Sequence, residues 1–91
     1  MTTDRYHAYR ATKAVLEQSL PGEDAAYERR LLEDMAEALL LTRDGRVIDA
    51  EELHDQASLA LSMMVRVRRL DDKTAEALLN SLAECGPVEA A

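Results

Sequence analysis

Two short patterns in this chain carry residue types suited to metal chemistry. Glu51-Glu52-Leu53-His54 places a carboxylate three residues before an imidazole, and Asp4-Arg5-Tyr6-His7 repeats the spacing with Asp. Residues three apart share a helix face. In a bundle, two such elements with a Glu from each of two further helices can enclose a pair of metal ions, and Glu33, Glu37 and Glu76 are the candidates for those extra donors. Both elements, however, stand at the start of a helical segment, away from the middle of a bundle, and Glu51 falls on an outer polar strip. The expectation is two boundary histidines, with no metal and no other cofactor.

A calcium reading is drawn from a neighbouring stretch. Asp44-Gly45-Arg46-Val47-Ile48-Asp49-Ala50-Glu51-Glu52-Leu53 resembles the second half of an EF-hand loop entering its helix. With Gly45 at the loop's sixth position, the first and third ligand positions become Leu40 and Thr42 and the twelfth becomes Glu51. Leucine cannot coordinate a hard cation, so the stretch reads as a glycine turn followed by a capping box, Asp49 with Glu52.

Enzymatic chemistry has little to work with. There is no glycine-rich phosphate loop and no Ser or Cys nucleophile near a His. The single cysteine, Cys85, lies beside an apolar stripe and is expected to be a small buried hydrophobe. The pairs Glu51-Glu52 and Asp71-Asp72 stand at helix starts, where carboxylates complement the dipole. No small-molecule substrate is indicated.

Arg66, Arg68 and Arg69, with Arg43 and Arg46, form a candidate basic patch for nucleic acid, and a nucleic-acid-associated regulator is the alternative reading. Against it, the chain has eleven Lys plus Arg and eighteen Asp plus Glu, a net charge of −7 that phosphate binding must overcome. Arginines ending a helix also complement its dipole. An acidic mimic that blocks a basic partner surface is a further alternative.

The elements that position these residues are helical. The chain has 91 residues, 47% of them apolar but only 3% aromatic, so its core must come from Leu, Ala and Met. Three Gly and two Pro leave too few turns for a multi-stranded sheet. Apolar periodicity predicts helices over 4–20, 23–42, 49–70 and 74–85, with 86–91 a frayed tail. Thr74 is the expected cap of the fourth, and Gly86-Pro87 its stop through a left-handed glycine. Connections this short predict one domain over 1–91, an all-α up-and-down bundle of four helices with the third central and longest. With no apolar run near twenty residues and no leader at Met1-Thr2-Thr3-Asp4, a cytoplasmic location without membrane contact is expected.

The stripes differ in width. The first helix buries Ala8, Tyr9, Thr12, Val15, Leu16, Ser19 and Leu20. The second buries Tyr27, Leu31, Leu32, Met35, Ala38 and Leu39, leaving Leu40 and Leu41 outside. On the third, a polar strip of about 80° (Glu51, Asp55, Ser58, Ser62, Arg66, Arg69) leaves about 240° largely apolar. A lone small bundle has too few neighbours to hide that arc. The expected function is a non-enzymatic protein–protein interaction module, an adaptor, regulator or assembly subunit, that pairs as a homodimer or binds a protein partner. Its expected interface is Leu40, Leu41, Leu59, Met63, Val67, Arg68 and Leu70. Arg68 falls inside the apolar arc, where it would need a carboxylate partner if buried; the alternative is that it snorkels its head to water at the helix end.

Overall fold

The computed structural model describes residues 3–43 and 45–86, and the side chains of 5–43 and 45–86. Four helices follow one another: α1 Thr3–Ser19, α2 Ala26–Leu41, α3 Val47–Arg66 and α4 Asp72–Cys85. No strand occurs among the described residues. The Asp4 side chain, Asp44 and residues 87–91 of the expected tail lie outside them. No helix among them is long and apolar enough to cross a membrane.

Side-chain tie points fix the helix directions. Arg5, at the start of α1, reaches carbonyls at the end of α2 and at the end of α4. Arg69, just past α3, meets Glu28 at the start of α2. His54, in the first half of α3, reaches the Leu79 carbonyl midway along α4. Chain neighbours therefore run antiparallel, as short connections require. The body measures 36 × 21 × 20 Å.

The packing is not a symmetric square. α2 and α4 each touch the other three helices, whereas α1 and α3 flank that pair on opposite sides and do not touch each other. The third helix is the longest, with 20 residues, but it has two neighbours and is not at the centre.

The core is leucine and alanine, as the composition requires. Leu16, Leu32, Leu39, Leu78 and Leu82 are fully buried, and Ala8, Ala36, Ala50 and Ala57 let the helices approach closely. Each buried leucine contributes about 1.5–3 kcal/mol relative to exposure. The α1 stripe is as expected. The α2 stripe is rotated: Leu32, Ala36, Leu39 and Leu40 face inward, while Tyr27 is 77% exposed. Contact with three neighbours turns α2 so that Ala36 faces inward and Leu40 is drawn inside.

Helix ends depart from expectation in four places. α2 begins at Ala26, after a turn in which Gly22 takes φ 84°, and Arg29 donates to the Leu20 carbonyl at 2.7 Å to hold that turn. α3 begins at Val47, so Asp49 is in its first turn instead of capping it, and pairs with Arg46 at 2.7 Å. α3 ends at Arg66, four residues early. There the Arg69 N–H bonds the Met64 carbonyl and the Arg68 N–H that of Val65, with Arg68 at φ 64°. This is a Schellman closure with arginine where glycine is usual. Finally, Asp71 and not Thr74 caps α4, accepting from the Thr74 N–H at 2.7 Å. Thr74, through its side chain first and its N–H second, holds the Asp71 carboxyl below the ordinary range.

Gly86 does end α4, but its φ of −122° is extended and not left-handed. Its need is space: a Cβ there would lie 2.9 Å from Leu39 Cδ2 and 3.1 Å from the Leu39 carbonyl oxygen.

Candidate functional site

α3 turns Ala50, Ala57, Leu61 and Met64 to the core, with Leu53 and Val65 half-buried beside them. Its exposed residues run from Glu51 through Ser62, Asp55, Arg66, Leu59 and Glu52 to Met63 and Gln56. That arc spans about 140° at 100° per residue, well beyond the polar strip read from the sequence. The extra width is apolar: Leu59 is 66% exposed and Met63 61%, with Ile48 about three to four turns earlier at 73% and Val67 just past the helix at 66%. The cause is the packing: α3 has neighbours on two sides only, so the apolar arc overruns the available cover.

The residues expected at an interface divide accordingly. Leu59, Met63, Val67 and Leu41 are exposed, whereas Leu40 and Leu70, each 7% exposed, are enclosed within this chain. Leu70 is drawn in because its N–H folds back towards the Met64 carbonyl after the Schellman closure. Arg68 is exposed and lies beyond the helix, so it does not belong to the apolar arc on which the sequence placed it. Ile48 is the addition; the Val47-Ile48 pair precedes the helix start inferred from the sequence, so it was off the wheel.

The arginines are dispersed. Arg69 meets Glu28 at 3.6 Å and Arg46 is engaged by Asp49, leaving Arg43, Arg66 and Arg68 open to solvent. Glu52 and Arg66 form no ion pair among the described residues.

The two His-containing patterns do not converge. His54 Nε2 lies 3.0 Å from the Leu79 carbonyl oxygen, a bond the Nε2–H tautomer donates, and Glu51 faces solvent. His7 is exposed on α1, which does not touch α3. Among the described residues no three His, Cys, Asp or Glu side chains lie close enough to hold a metal ion.

Cys85 is fully buried, its Sγ donating to the Ser81 carbonyl at 3.3 Å and lying 3.7 Å from Thr12 Oγ1. Burial pushes the thiol up, partly offset by the Thr12 hydrogen bond. A shallow open groove between α3 and α4, floored by Leu61, Val65 and Leu79, is rimmed by Ser58, Ser62 and Glu76. On the far side of the molecule Lys13 lies over the Tyr9 ring at 5.7 Å and Arg10 over Tyr6 at 6.0 Å.

Comparison with protein-family models, with curated proteins and with solved structures found no match. The functional reading therefore rests on the surface of the molecule itself.

Proposed function

We propose that this chain is a non-enzymatic helical protein–protein interaction module, serving as an adaptor, regulator or assembly subunit, and that it binds through the outer face of α3. The observation that carries the reading is the stripe of Leu59, Met63 and Val67. These three recur every four residues and are all more than 60% exposed. Leu59 and Met63 lie on the longest helix and Val67 just past its end, on the side that no other helix covers. Exposed single apolar residues are ordinary, but a contiguous row with polar residues at its margins marks a binding surface. The fully buried apolar side chains elsewhere support this, because the sequence is not short of core positions.

Photo-cross-linking in the native host tests the reading. A benzophenone side chain at position 63 should yield protein adducts that are lost when Leu59→Glu is added, while the same group at exposed position 17 on α1 should yield none. Equal yields from positions 63 and 17 would remove the proposal.

A further inference from the structure

We infer that the occupant of the α3 face is a second copy of this chain, packed antiparallel about a twofold axis that runs between the two α3 helices at the level of Leu59. The inference rests on the reading of that face as a binding surface and adds the partner and its register.

Glu52, Leu59 and Arg66 are spaced seven and seven residues apart. A heptad falls about 20° short of two full turns, so the three lie within about 40° of one another on one line along the helix. All three are exposed. At 1.5 Å per residue, the acid and the base stand about 10.5 Å from Leu59, one to each side.

A twofold axis perpendicular to α3 at Leu59 exchanges those two positions. Each Glu52 then meets the partner's Arg66, twice per dimer, with Leu59 against the partner's Leu59 on the axis. Met63 lies one turn from Leu59, so the two methionines extend the apolar centre on both sides, inside the ion pairs. That order, apolar centre and charged margin, is the common anatomy of an interface, and methionine adapts readily to a facing surface. A parallel pairing on the same face would set Glu52 on Glu52 and Arg66 on Arg66, which like charges oppose. Antiparallel packing also brings the positive end of each helix dipole beside the negative end of the other. The partner surface is therefore the surface itself, as a closed isologous dimer requires.

Light scattering with size exclusion, and sedimentation for the dissociation constant, test this on the full chain at micromolar concentration. The wild type is expected at twice the monomer mass. Glu52→Arg and Arg66→Glu should each weaken the dimer about tenfold, because two marginal pairs are lost and replaced by repulsion. The double variant Glu52→Arg/Arg66→Glu should return to within about threefold of wild type, since the swapped charges meet again. Leu59→Glu should give a monomer. The three positions altered, 52, 59 and 66, are all on the surface, and circular dichroism confirms the fold of each variant. A wild-type monomer at these concentrations, or a double variant no tighter than the single ones, overturns the inference. If position 63 then cross-links to a different protein, the broader interaction reading survives while the self-pairing does not; if position 63 cross-links to nothing, both fail.

Discussion

Replacing Arg5 with Met should be among the most damaging single changes available in this chain. Arg5 is 9% exposed at the start of α1. Its Nε donates to the Cys85 carbonyl at 3.0 Å, and its Nη2 is shared by the carbonyls of Leu39 at 2.8 Å, Leu40 at 3.0 Å and Thr42 at 2.7 Å. These carbonyls lie at the C-terminal ends of α2 and α4, where helical donors run out and a cation also offsets two helix dipoles. Methionine fills much of the stem's volume but donates nothing. A buried acceptor without a partner costs about 1–3 kcal/mol. The Leu39 carbonyl keeps its bond from the Thr42 N–H, and Thr42 is half-buried, so water can repay part of the loss. The expected net loss is about 3–5 kcal/mol. A domain of this length is stable by only about 5–14 kcal/mol. Urea unfolding followed by circular dichroism measures the difference, and thermal unfolding should show a fall in Tm of at least about 12 °C. Arg10→Met is the control, since Arg10 is exposed on the same helix over the Tyr6 ring; it should cost no more than about 1 kcal/mol. If Arg5→Met came within about 1 kcal/mol of wild type, the view of Arg5 as the pin joining three helix ends would be wrong.

Three further outcomes follow from local geometry. Gly86→Ala should destabilise by about 1–3 kcal/mol in the same urea assay, because the new methyl would press on Leu39 Cδ2 and its carbonyl; a neutral result would mean that α4 can shift at no cost. Arg68→Gly should instead stabilise by about 0.5–1 kcal/mol, since it relieves a left-handed arginine at φ 64°. Cys85 should react with a thiol reagent at least about 100-fold more slowly in the folded chain than in urea. Its raised pKa also gives a sign: the unfolded thiol ionises first, so stability should fall as pH rises from about 8.5 through the folded value, and this group adds no slope below that.

The parts of the fold that sequence periodicity predicts are those in which one helix decides its own outcome. Ala8, Thr12, Leu16 and Leu20 are buried because α1 has a single apolar side. The end of α3 was not legible, since a left-handed arginine carries no residue-type signal and the apolar pattern continues past it to Leu70. Gly86 was legible as a helix stop but not for its reason, which is the approach of Leu39, 47 positions away in the chain by the difference 86 − 39. The Arg5 pin is less legible still, because its acceptors are 34 to 80 residues distant and an arginine in a first helical turn reads as solvated.

The same distinction bears on the candidate surface. By wheel position alone Leu40 on α2 and Leu59 on α3 are both surplus, two leucines outside their expected stripes or beyond available cover. Their fates diverge through packing: α2 is touched by three helices, which enclose Leu40, whereas α3 is touched by two, which leave Leu59 at 66% exposure. An apolar count therefore identifies an excess, and only the arrangement of neighbours says which residues carry it. Here the excess falls on the one line of α3 where an acid and a base stand a heptad to either side of a leucine. Burial of a leucine on a rotated helix explains Leu40 within one chain; Leu59 has no such explanation within this one, and the proposed self-pairing would supply one.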